Sequence, residues 1–217
     1  MAELLFRDDP YRRSCDTAVT GVDARGVRLA RTVFYPAGGG QPGDTGVLRL
    51  ADGSTVSIVD TQKGEGADEV IHVPVAGATP SPPGTAVVAE IDWERRHRHM
   101  RFHTCLHLLC VAVPYPVTGG RIGPDKSHLD FDLQGASVDR GAIEAKLNAL
   151  IRAGHRVAPR WITDAELAAS PALVRTMSVA PPLGQGRVRL LEIDGVDLQA
   201  CGGTHVANTA EIGRWRC

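Results

Sequence analysis

Residues 92–113 read DWERRHRHMRFHTCLHLLCVAV. They contain neither Gly nor Pro, open on an Asp suited to cap a helix N-terminus, and stop at Pro114. One long helix is expected here. It divides the chain. Upstream, short β-prone runs (17–22, 27–33, 46–50, 55–60, 70–75 and 85–91) alternate with turn signals. The turns include Asp23-Ala24-Arg25-Gly26 and Ala51-Asp52-Gly53-Ser54, where Asp-Gly favours a tight hairpin. Many short strands with closely spaced turns predict a small barrel or sandwich. Downstream, Asp139 to Gly154 reads as a helix whose apolar positions Ile143, Leu147, Leu150 and Ile151 share one face. Runs 128–133, 156–162 and 187–193 read as strands, and Thr163-Asp164-Ala165-Glu166 has the capping-box pattern. The expected fold class is α+β: a β-barrel-like domain over 1–90, then an α+β domain over 91–217.

A chain of 217 residues buries about 70% of its surface on folding, so it needs no disulfide or metal to build a core. Hydrophobic residues at 43% and charged residues at 23% exclude a disordered or fibrous chain. A net charge of −1 excludes a globally basic nucleic-acid coat but leaves room for a local patch. The basic residues are 21 Arg and 3 Lys, a skew that fits phosphate binding and genomic base composition alike. Five Cys with no CxxC are not a secreted disulfide framework. No signal peptide or membrane-length apolar run is visible. A reducing cytoplasm is expected, with no membrane partner and a monomer as the default.

Two pairs of residues point to chemistry. His103 and His107 stand one helical turn apart on one face. Cys201 and His205 bracket Gly202, Gly203 and Thr204 in CGGTH, where the glycines are expected to let the chain fold both side chains round one point. Three imidazoles and a thiolate form a natural tetrahedral Zn2+ set, one ion per chain. Residue 104 is Thr where a zincin metallopeptidase needs Glu, which disfavours peptidase chemistry. A closed four-ligand site is also compatible with a purely structural zinc. The run Arg95-Arg96-His97-Arg98-His99 reads as a solvated face or as a phosphate-contacting patch beside the metal. Cys105 and Cys110 are expected in the core, and His72, His128 and His155 in structural roles.

WERRHRHMRFHTCLHLL, then DLQACGGTHVANTAEIG about a hundred residues on, with FYPAGGGQPGDTG upstream, resembles the alanyl-tRNA editing proteins of the free-standing AlaX type. A related zinc core occurs in alanyl-tRNA synthetase and, more distantly, in threonyl-tRNA synthetase editing domains. The resemblance covers nearly the whole chain. It implies zinc on His103, His107, Cys201 and His205, a substrate pocket involving Gly38, Gly39, Gly40 and Gln41, and tRNA as partner, with Arg95, Arg96 and Arg98 as its contacts. Thr104 becomes a candidate catalytic and substrate-binding residue, its hydroxyl meeting a seryl side chain; the alternative is a bond to a backbone carbonyl one turn back. Ala200 departs from the family pattern, where Pro commonly precedes the Cys. The chain also stops twelve residues after His205, where relatives commonly continue in a Lys-rich strand.

The implied activity is zinc-dependent hydrolysis of the ester on mischarged tRNA(Ala), seryl or glycyl, in trans and without ATP. An aminoacyl ester is already reactive, so positioning and a polarised water suffice. Zinc then either activates water or places the substrate. Two alternatives are a non-catalytic zinc-stabilised tRNA-binding module and a deacylase for another aminoacyl-tRNA, such as the threonyl ester.

Overall fold

The computed structural model describes residues 2–66, 68–174 and 186–216. The chain divides into two compact units, Met1–Arg98 and His99–Cys217. The division falls inside the long helix rather than before it.

Unit one runs β1 (Glu3–Leu4), a 3-10 turn over Leu5–Arg7, then β2 (Ser14–Asp23), β3 (Gly26–Leu29), β4 (Arg31–Thr32), β5 (Gly46–Leu50), β6 (Thr55–Lys63), β7 (Val70–Pro74) and β8 (Ala86–Ile91). Six strands close a barrel in the order β2-β3-β7-β6-β5-β8, all neighbours antiparallel. Closure leaves the barrel strands no open edge. Strand alternation explains the interior: in β8 Val87, Ala89 and Ile91 are buried while their neighbours are more exposed. Together with Val27, Leu48 and Ile58 they form the barrel core. The run 27–33, expected as one strand, breaks at Ala30 into β3 and β4, and β4 pairs parallel with β1. The Asp-Gly turn is present: Leu50 N–H donates to Ser54 O at 2.9 Å, with Gly53 at φ 85°.

His72 sits wholly buried in this barrel. Its Nδ1 lies 3.0 Å from Val27 O and its Nε2 2.8 Å from Thr32 Oγ1. A carbonyl can only accept, so Nδ1 carries the proton and Nε2 accepts from the Thr32 hydroxyl. Burial lowers the His72 pKa to about 4, although the bond to Val27 opposes this. The unfolded chain therefore binds more protons than the folded one as pH falls from 6.5, and the stabilisation is lost down to the folded pKa near 4. That amounts to about 3 kcal/mol. Denaturant midpoints measured between pH 7 and pH 4 are expected to fall more steeply for the native chain than for His72→Gln. Equal slopes would contradict the assignment.

The helix α1 (Trp93–Ala112) follows. Asp92 caps it, its Oδ1 accepting from Arg95 N–H at 3.1 Å. Beyond α1 come β9 (Val117–Ile122), β10 (Ser127–Phe131), α2 (Arg140–Ala153), β11 (Val157–Thr163), α3 (Asp164–Ala169), β12 (Arg187–Ile193) and β13 (Asp197–Ala200). β9 and β10 form a hairpin, and β11-β12-β13 an antiparallel sheet. Leu147 and Ile151 of α2 are buried, as are Val188, Leu190, Leu191 and Ile193 of β12. The other two helix N-termini are capped as well: Asp139 accepts from Gly141 and Ala142 N–H, and Thr163 with Glu166 forms a capping box. The molecule is thus α+β with a closed six-stranded barrel. No helix of the described residues is long and apolar enough to cross a membrane.

Candidate metal centre

All four candidate ligands lie in unit two, and their donor atoms fall within 4.8 Å of one another. His103 and His107 project from successive turns of α1, their ring centroids 5.3 Å apart. Cys201 and His205 come from the segment after β13. Cys201 Sγ lies 3.6 Å from His103 Nε2 and 3.2 Å from His205 Nε2. A tetrahedral zinc with ordinary Zn–S and Zn–N bonds separates sulfur and nitrogen by roughly 3.6 Å. Both of these sulfur–nitrogen separations lie within about 0.4 Å of that value. The histidines are 3–7% exposed, so a bound ion would be largely shielded from water.

The electrostatics favour a cation as well. Burial by itself raises the Cys201 pKa, but His103, His205 and His107 lower it well below its ordinary value. Burial lowers His107, but the Cys201 thiolate and Asp197 outweigh it and raise its pKa to about 9. Burial and the charge on His103 push His205 well down. The histidines around Cys201 thus favour its deprotonated form, the form in which a thiol binds a divalent ion.

Surrounding groups aim these ligands. His107 Nδ1 faces Asp197 Oδ2 at 3.5 Å, which leaves Nε2 as the donor atom toward the cluster, and Gln199 Nε2 donates to the same carboxylate oxygen at 2.6 Å. Arg189, on β12, donates through one guanidinium nitrogen to Cys201 O at 2.9 Å and Gly203 O at 3.0 Å. Its own carbonyl accepts from Cys201 N–H at 3.2 Å. This clasp shapes the ligand segment. Cys201 and His205 converge as expected, with neither Gly202 nor Gly203 at a positive φ. Asp197, Gln199 and Arg189 carried no sequence signal beyond proximity of Asp197 and Gln199 to the CGGTH motif.

Three expectations change. Thr104 is 0% exposed, and its hydroxyl is taken up by Met100 O, Val206 N–H and His205 Nδ1. It stands behind His205, not on a pocket wall. Arg96 is also 0% exposed: it pairs with Asp44 and donates to Val33 O at 2.6 Å and Pro10 O at 2.9 Å. A guanidinium enclosed in this way holds unit one together and cannot reach a phosphate. His99, expected at the surface, is 1% exposed. Arg98 is exposed, while Arg95 is half-buried and reaches Gly43 O at 3.3 Å. His97 stacks on Trp93 at 5.2 Å. Cys105 is buried and Cys110 half-buried.

Within unit one the glycine run makes a two-residue turn. Gly38 and Gln41 exchange both backbone hydrogen bonds at 3.0 Å, and Gly39 and Gly40 take φ 57° and 79°. Gly39 and Gly40 are exposed and Gln41 is buried. A Cβ on Gly43 would lie 2.1 Å from Thr61 O, so only glycine fits there.

A family model described as tRNA synthetases class II (A) matches residues 10–95. One described as threonyl and alanyl tRNA synthetase second additional domain matches residues 188–217, which hold Cys201 and His205. The alanyl-tRNA editing protein AlaX-M of Methanosarcina acetivorans is 38% identical over 98% of this chain and 90% of its own length. That of Saccharolobus solfataricus is 32% identical over the same shares of each. This chain belongs to the alanyl-tRNA editing protein AlaX-M family. The alanine–tRNA ligase of Sulfurisphaera tokodaii is 36% identical over 96% of this chain but only 24% of its own length, so the chain is similar to one segment of that ligase. The AlaX-M relatives match across both the barrel unit and the His3Cys unit.

Proposed function

We propose that this chain hydrolyses the ester of mischarged tRNA(Ala), seryl or glycyl, in a zinc-dependent reaction. Proteins of the alanyl-tRNA editing family are aminoacyl-tRNA deacylases, and this chain is an enzyme of that class. The observation that carries the metal-dependent part is the convergence of His103, His107, Cys201 and His205, three buried imidazoles and a half-buried thiol, in one cluster. A zinc ion held there supplies Lewis acidity and a fixed point for orienting the amino acid or a water. The protein's share is to keep three imidazoles and the thiolate in place, through Asp197 on His107, Thr104 on His205 and Arg189 on the Cys201 segment. Gly38, Gly39, Gly40 and Gln41 are proposed to act in substrate recognition, and Arg95 and Arg98 in phosphate contact. The site of action is proposed to be the cytoplasm, where aminoacyl-tRNA is used.

The test is a deacylation panel of seryl-, glycyl-, alanyl- and threonyl-tRNA with the purified protein, run beside elemental analysis. We expect one zinc per chain and release of serine or glycine from tRNA(Ala), with alanyl-tRNA(Ala) spared. Gly39→Asn, which tolerates the positive φ and meets open space, is expected to change the seryl-to-glycyl ratio without changing the fold. Deacylation by zinc-free protein, or threonyl-tRNA as the preferred substrate, would replace this reading.

A further inference from the structure

The Thr104 hydroxyl has one hydrogen to donate and two lone pairs to accept with. Its three neighbours are Met100 O at 2.9 Å, Val206 N at 3.2 Å and His205 Nδ1 at 3.2 Å. Met100 O can only accept and Val206 N–H can only donate. When the hydroxyl hydrogen goes to Met100 O, both lone pairs are left for Val206 N–H and for a proton on His205 Nδ1. The lone pair of His205 then resides on Nε2, the atom 3.2 Å from Cys201 Sγ. The opposite arrangement puts a hydrogen on Nε2, pointing at the sulfur, and His205 could not ligate.

We infer that Thr104 is a positioning residue that sets the tautomer of His205, fixing its proton on Nδ1 so that Nε2 faces the other ligands. The inference rests on the proposed metal reading of the cluster. Its placement suits the task. Thr104 follows His103 by one residue, so it points about 100° away from that ligand, toward the segment after β13 rather than along the ligand face. The methyl group is enclosed with the hydroxyl at 0% exposure, so bulk water does not compete for the three bonds. His107 is aimed in the same sense by Asp197, a carboxylate in place of a hydroxyl. Outer partners of this kind typically carry ten- to a hundredfold in metal affinity.

The experiment uses the full chain and three proteins: native, Thr104→Val and Thr104→Ser. Zinc affinity is measured by competition with a chromophoric chelator, and histidine tautomers by long-range nitrogen–proton NMR of metal-free protein. Thr104→Val is expected to bind zinc about ten- to a hundredfold more weakly, while Thr104→Ser stays within about threefold of native. The metal-free native protein is expected to carry the His205 proton on Nδ1. Native affinity in Thr104→Val, loss in Thr104→Ser equal to that in Thr104→Val, or a proton on Nε2 in the native protein would each overturn the inference. Circular dichroism identifies a variant that has failed to fold, and in that event the native tautomer alone decides. A native protein that binds no zinc overturns the metal reading instead, and the tautomer, read without metal, keeps the two failures apart.

Discussion

Cys201→Ala is expected to lose its zinc on purification and to deacylate at least about a thousandfold more slowly, a barrier increase of about 4 kcal/mol. Cys201 is the thiol donor among the four, and although burial opposes it, the neighbouring His103, His205 and His107 lower its pKa well below the ordinary value. Three neutral imidazoles without a thiolate leave a divalent ion poorly compensated in a site whose histidines are 3–7% exposed. The fold should survive, because Leu190, Leu191 and Ile193 of β12 and Leu147 and Ile151 of α2 are buried independently of the cluster's sulfur. Metal content, initial rate and circular dichroism on the same preparation separate the two effects. A Cys201→Ala protein that is folded, free of zinc and still active at the native rate would show that the metal does no chemistry.

The largest effect on stability is expected at Asp44. Its carboxylate pairs with the Arg96 guanidinium and also accepts from Tyr35 N–H at 2.6 Å, all in a fully buried setting. Asp44→Ala leaves a guanidinium with 0% exposure facing only the carbonyls of Val33 and Pro10. Breaking one side of a buried pair costs about 3–5 kcal/mol, a large part of a typical domain's 5–15. The double variant Asp44→Leu, Arg96→Met removes both charges and is expected to cost less than Asp44→Ala alone. Chemical denaturation of the three proteins measures this. Additive losses in the double variant, or a loss under 1 kcal/mol in the single one, would show that the pair is not the buried unit described here. The same enclosure is why Arg96 leaves the set of phosphate contacts.

Features governed by neighbours in sequence were legible in the sequence. Asp139 and Gly154 bound α2 because a carboxylate satisfies the first N–H groups and Gly154 takes φ 68°, both local requirements. The pairing of His103 with His107 follows from the pitch of one helix, and Asp-Gly at 52–53 from one turn. Chemistry-bearing side chains were therefore readable one by one. Weak local signals were missed: β9 contains Gly119 and Gly120, and β13 spans only Asp197–Ala200, so neither has much strand propensity.

What the tertiary structure alone decided is which polar groups are buried and with whom. Arg96 and Arg98 look alike in a basic run, yet one is enclosed by Asp44, 52 residues away, and the other is exposed. Thr104 reads as pocket wall, with a helix-bonded hydroxyl as the alternative, until Val206 and His205, about a hundred residues on, close over it. Asp197 behind His107 and Arg189 across Cys201 are likewise fixed by strand packing. A helix cap or a turn depends on backbone bonds within a few residues. The cost of burying a charge depends on partners the chain brings together only on folding.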